Sequence, residues 1–208
     1  MNKFILAVLM VIGFSVGVAP AIAATATGEV RFSDVQNNAG DGVSSGATEY
    51  RAQFDDTINS LIYYGVEITT TQVDGNGFRA GGQTVVNRGK RDVSSKLVGK
   101  LGVSLPNLSG LTTKLYGEAG EVFSTGVSDH VIGAGVQVSY PLYRNLSALG
   151  GYRYRRTYVI SDSVSENRWD IGVALNATKA LSVGAKYYFT SVTNKNVNTL
   201  GLFVSYRL

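Results

Sequence analysis

The feature that most constrains this chain is a hydrophobic alternation at period two, cleanest over its last nine residues. Leu200, Leu202, Val204, Tyr206 and Leu208 form one apolar row, and Gly201, Phe203, Ser205 and Arg207 form the other. Successive side chains of an extended strand point to opposite faces, so this segment has one apolar face and one mixed face. The same pattern recurs upstream, and no stretch past residue 24 keeps a helical 3.6 period for long. A chain built this way is all-β. The question it poses is whether the apolar rows meet a protein core or a lipid bilayer.

Ten segments carry the alternation, at about 28–35, 48–58, 61–72, 93–105, 112–124, 130–140, 146–160, 168–176, 181–190 and 200–208. Between them lie polar loops at 36–46, 73–92, 125–129, 161–167 and 191–198. A two-residue turn falls at 59–60, and further turns fall at 106–110, 141–145 and 177–180, where Pro, Gly, Asn and Ser gather. Glu121 interrupts its row, so a bulge or strand end is expected near it. The connections after strands two, four, six and eight are tight, while most of the others are longer and polar. Tight turns at one end and longer loops at the other are the layout of an up-and-down membrane barrel with both termini on the turn side. About ten strands are expected; one merged or missed pair would make it eight or twelve.

Composition enters at two points. Hydrophobic residues make up 44% of the 208, and no run of 18 apolar residues follows residue 24, which excludes a bundle of membrane helices. A membrane barrel survives that test, because only every second residue faces lipid. The absence of Cys removes disulfides, thiolate zinc sites and thiol nucleophiles together. The formal charge of +4 is too mild and scattered for a nucleic-acid binder.

Residues 1–23 read as a secretory signal peptide: Lys3 supplies the positive start, residues 4–18 the apolar stretch, and Ala21-Ile22-Ala23 a small-x-small cleavage site. The mature domain is then 24–208, exported from the cytoplasm. Aromatics sit toward the ends of the apolar rows, at Tyr50, Tyr64, Tyr140, Tyr158, Trp169, Tyr187, Phe189 and Tyr206. That suits girdles at two membrane interfaces. The opposite rows are rich in Gly, Ser and opposed charges, unlike the Thr, Lys and Glu cover of a water-facing sandwich. These readings together favour a transmembrane antiparallel barrel over a soluble β-fold.

The chain resembles the small bacterial outer-membrane β-barrels of the OmpA/OmpX-like and porin-like superfamily, as architecture over 24–208. The most specific part of the likeness is the terminal Val204-Ser205-Tyr206-Arg207-Leu208. It is similar to the C-terminal signature that the outer-membrane assembly machinery recognises, with Leu202, Val204, Tyr206 and Leu208 as its apolar row. That signature usually ends in Phe; here Leu208 stands last and Tyr206 supplies the aromatic. The resemblance implies an outer-membrane location, contact with outer-membrane lipids and lipopolysaccharide, and insertion by the assembly machinery.

Projected onto a barrel, the inward rows carry Glu29, Arg31, Glu49, Arg51, Asp55, Glu67, Lys96, Lys100, Lys114, Glu118, Arg153, Arg155, Arg168, Asp170, Lys186 and Arg207: ten bases and six acids. Two readings are open. One is a plug of ion pairs, since buried charges must be partnered; the other is a narrow channel whose basic excess favours anions. Size favours the plug, because eight strands already enclose little more than their own side chains. The function expected is therefore that of a porin-like or structural envelope protein, acting as a monomer, without catalysis, cofactor, metal or nucleic acid. Two alternatives remain: a surface-interaction barrel working through loops 36–46 and 73–92, or a rim hydrolase using His130 beside Ser128 and Asp129. A lone His without a second acid or nucleophile at a defined spacing is a weak motif, and the chain is short for an omptin-like protease barrel. The basic group Arg88, Lys90 and Arg91 could meet lipopolysaccharide phosphates, but a solvated loop explains it as well.

Overall fold

A computed structural model of the chain describes residues 24–36, 45–73, 92–124, 127–159, 162–192 and 195–208. The signal segment 1–23 lies outside these, as do most of loops 36–46 and 73–92, including Arg88, Lys90 and Arg91. Ten strands are formed: β1 Thr25–Gln36, β2 Ser45–Ile58, β3 Ile62–Val73, β4 Asp92–Leu108, β5 Leu111–Ser124, β6 Val127–Tyr143, β7 Leu146–Val159, β8 Asp162–Asn176, β9 Leu181–Val192 and β10 Lys195–Arg207. Each pairs antiparallel with its sequence neighbours, and β1 pairs with β10 to close the barrel. The closing seam runs from Thr25–Arg207 to Gln36–Asn196, extended by Leu208 N donating to Ala24 O at 2.9 Å. Closure removes every sheet edge, which a bilayer requires because it offers unpaired backbone groups no partner.

The barrel is inside-out relative to a soluble protein. Its exposed side chains are the apolar rows, with Leu101 at 66% and Ile171 at 69%, while the buried set includes Glu67 and Arg155 at 1% each. In water that arrangement would leave a whole apolar wall unburied, far beyond the patch a soluble monomer exposes. Against acyl chains the wall needs no cover. Strands of 12 to 17 residues are more than long enough, since about 9–11 tilted residues cross the hydrocarbon layer.

The extra length explains where the expected boundaries move. Residues 161–167 and 191–198, expected as polar loops, lie mostly inside β8, β9 and β10. Polar side chains do not stop a ladder once it leaves the hydrocarbon layer, so composition hides the strand there. Likewise, the turn expected at 106–110 shrinks to Ser109–Gly110, and that at 141–145 to 144–145. The ladder shifts register between Leu105 and Leu108 and between Pro141 and Tyr143. Pro106 and Pro141 stand at these shifts and lack the N–H a regular ladder would use. The turn expected at 59–60 spans Asn59 to Leu61, with Asn59 and Ser60 at φ 52° and 58° and Leu61 N bonded to Ile58 O. Glu121 causes no bulge: β5 and β6 stay in register from Thr112–Ser139 to Ser124–Val127, and Glu121 simply points outward opposite His130.

Candidate functional site: the charged interior

The inward row of every strand from β1 to β9 delivers polar or charged groups to the lumen, and many of the charged ones join into one network. Arg31 reaches Glu29 at 3.0 Å and also pairs with Glu49; Arg51 reaches Glu29 at 2.9 Å and Glu67 at 2.7 Å. Glu67 then takes Lys100 from β4 at 2.8 Å, and from across the barrel Arg153 at 3.4 Å and Arg155 at 3.6 Å. Arg155 donates to both oxygens of Glu118, at 2.7 and 3.0 Å. Arg153 reaches Glu166 at 3.0 Å, and Arg168 meets the same carboxylate at 3.2 Å.

Two glycines explain how strands that are not neighbours can join. Glu118 on β5 and Arg155 on β7 are separated by β6, whose inward residue between them is Gly133. A Cβ there would lie 2.8 Å from Glu118 Oε1 and 2.5 Å from Tyr154 O. The seam repeats the device. Tyr188 on β9 donates to Glu29 on β1 at 2.5 Å over Gly201 of β10, where a Cβ would crowd both side chains. Interior glycine is thus what lets long charged side chains reach over a strand.

Aromatics complete the fill. Arg31 stacks on Tyr188 at 4.4 Å and Lys114 on Tyr63 at 4.7 Å, while Tyr63 and Tyr116 meet edge-on at 5.8 Å. Tyr63 donates to Asp55 at 2.5 Å. Nearer the turn side, Lys186 pairs with Asp170 at 3.1 Å. Buried charges of this kind are tolerated only when mutually paired. The network meets that condition closely: the buried side-chain polar atoms left without a hydrogen bond among the described residues are Arg31 Nε, Arg51 Nε, Arg153 Nε and one oxygen of Asp129, and Arg153 Nε still lies 4.0 Å from Glu118.

Most of the expected inward charges therefore meet. Lys96 shares the inward row of β4 with Lys100, in register with Thr69 and Val122. Arg207 does not join them: at the turn-side end of β10 it is exposed and makes no ion pair among the described residues. Glu166 joins the network from a segment whose polar composition reads as a loop. Its alternation with Arg168 and Asp170 was the available signal. The inward burial of Asp129 is hidden in the same way. His130 and Asp129 occupy opposite faces of β6, and His130 is 74% exposed with Glu121 at 3.9 Å as its ionic neighbour. Among the described residues no group of three or more His, Asp or Glu is placed to hold a metal.

No protein-family profile matches the chain, and no curated protein matches it in sequence. Solved structures share its fold. The β domain of the Bordetella autotransporter BrkA has a TM-score of 0.54 at 11% identity, covering 89% of this chain and 99% of that one. An outer membrane channel from Pseudomonas putida F1 has a TM-score of 0.53 at 10% identity, covering 92% and 97%. The chain also spans 62% of the length of a loop-deletion mutant of OmpT, an outer membrane protein of Vibrio cholerae, at a TM-score of 0.45 and 11% identity over 86% of this chain. By fold, this chain is a ten-stranded antiparallel transmembrane β-barrel of the outer-membrane type.

Proposed function

We propose that the protein is a monomeric structural barrel of the bacterial outer membrane, closed to solutes by its charged interior and without catalysis. The observation that carries this reading is the meeting of Glu67 on β3 with Arg153 and Arg155 on β7. These buried side chains reach across the lumen from β7 to β3, which is what supports a barrel closed to solutes. Export through the 1–23 segment, insertion by the assembly machinery through the Leu202–Leu208 row, and contact with outer-membrane lipids and lipopolysaccharide belong to the same proposal. Purified protein in planar lipid bilayers tests it: a flat baseline supports the closed barrel, and regular current steps reject it.

A second reading is a narrow anion-leaning pore, but with Arg207 at the mouth and Glu166 and Asp129 turned inward the bases of the inward row barely outnumber its acids among the described residues. The same recording separates the two, since that pore would give steps with anion-selective reversal potentials. The surface-interaction alternative rests on residues 36–46 and 73–92, and loop deletion that leaves cell or ligand binding intact would count against it. A rim hydrolase would need His130, and turnover unchanged in His130→Ala would remove it.

A further inference from the structure

The outer wall carries one feature that neither closure nor lumen packing requires. Near the loop-side end of β7, Arg156 points outward, among side chains that face lipid. Its guanidinium lies 5.3 Å from the Tyr158 ring and donates to Ser163 Oγ at 2.8 Å. Among the described residues it has no acid partner. A guanidinium has five N–H donors in a fixed fork, so most of this one faces outward. Exposed His130 on β6 is register-paired with Tyr158 and Ile132 with Arg156, which makes His130 the diagonal neighbour of Arg156. Such neighbours stand about 7–8 Å apart, within reach of long side chains. Glu121, the acid in register with His130, lies on its far side, on β5.

Past Ile132, which stands beside this cation on β6, the wall is indented. Gly99 on β4, Gly117 and Ala119 on β5 and Ala134 on β6 all face outward and are exposed. They adjoin one another in register: Gly99 with Ala119, and Gly117 with Ala134. Unlike interior Gly133 and Gly201, these glycines are not imposed by packing. A Cβ on Gly99 would meet nothing nearer than 3.8 Å, and one on Gly117 nothing nearer than 3.9 Å. Glycine weakens a strand unless something must approach closely. The side from which approach is free here is the lipid side. Tyr154, opposite Ala134, borders the dent on β7, and Leu97 and Leu101 border it on β4.

We propose that this wall binds a phosphorylated lipid of the loop-side leaflet, the phosphate held by Arg156 and His130 and an acyl chain seated over Gly117, Ala119 and Ala134. The inference rests on the outer-membrane reading and gives its lipid contact a place. An outward Arg is costly in hydrocarbon and favourable at the headgroup level. Its planar fork matches two phosphate oxygens, and the His ring adds a further N–H donor. The aromatic beneath the guanidinium holds it in that plane. Neither half would suffice: small residues alone would accept any apolar surface, and a lone cation any anion. Their adjacency selects an amphiphile with an anionic head.

The test uses the full barrel in neutral phospholipid nanodiscs, titrated with diphosphoryl lipid A, with its dephosphorylated counterpart and with inorganic phosphate. Heat-modifiable gel mobility reports folding for every sample. Saturable binding of the diphosphoryl lipid is expected, weakened about tenfold in Arg156→Gln, a loss of the size a charge-assisted hydrogen-bond pair brings. Gly117→Leu is expected to weaken binding too, by filling the dent. Equal binding of the dephosphorylated lipid, unchanged binding in folded Arg156→Gln, or inorganic phosphate binding as tightly as the lipid would each overturn the proposal. A chain that never enters the bilayer would instead overturn the outer-membrane reading beneath it.

Discussion

Glu67 on β3 and Arg153 on β7 lie 86 residues apart in sequence and 3.4 Å apart in space, on opposite walls of the barrel. Four cations converge on Glu67, from Arg51, Lys100, Arg153 and Arg155. Removing its charge would leave them facing each other in a buried site. Breaking a buried ion pair from one side costs about 3–5 kcal/mol. Glu67→Gln is therefore expected to lower the unfolding free energy of the barrel in lipid vesicles, extrapolated from urea titration, by an amount in that range. A change under about 1 kcal/mol, the size typical of an exposed pair, would show that Glu67 is not the centre of the network.

The plug makes its own prediction about conductance. Arg153→Ala with Arg155→Ala removes the side chains that cross the lumen and leaves Glu67, Glu118 and Glu166 with fewer counterions. The double variant is expected to give current steps where the wild type gives none. Their selectivity should lean toward cations, because removing both arginines leaves the inward acids in excess. A silent double variant would place the barrier elsewhere.

Gly133 should be nearly irreplaceable, because the pair Glu118–Arg155 passes over it. Gly133→Val would press on Tyr154 O and Glu118 Oε1. Overpacking of this kind costs about 1–3 kcal/mol. Equilibrium unfolding checks the loss, and Gly117→Ala, made where the wall is open, serves as the comparison with little expected change.

The parity of every spanning strand was legible, because lipid and lumen impose opposite chemistry on alternate residues. That is why Glu29, Arg31, Glu67, Arg153 and Arg155 could be placed inside from sequence alone. Their pairing could not, since contact between β3 and β7 depends on closure and on registers that local pattern does not encode. Glu166 and Asp129 were hidden by the opposite effect: above the hydrocarbon layer both faces of a strand are polar, and a ladder resembles a loop. Arg207 has the parity of the lumen but sits at its mouth, where water takes the place of a counterion. Glu121 broke the apolar row without breaking the strand, because the rim, where it faces His130, tolerates charge.

The row Leu202, Val204, Tyr206 and Leu208 lies on the outward face of β10, at the seam where Tyr206 is paired with Ala26. If that row is also the assembly signal, Tyr206→Ala should lower the amount of barrel in the outer membranes of expressing cells. Refolding of the purified variant into vesicles should proceed nearly as for the wild type. Equal losses in both assays would assign Tyr206 to stability alone.

The chain contains a single Trp, Trp169, which faces outward on β8, 59% exposed, its ring tilted against that of Tyr152 at 4.4 Å. Its fluorescence reports directly on what surrounds the apolar wall. In vesicles carrying lipids brominated along their acyl chains, the inside-out barrel predicts a blue-shifted emission that is strongly quenched by the brominated lipid and almost untouched by aqueous iodide. Emission that is red-shifted, quenched by iodide and indifferent to the brominated lipid would contradict it.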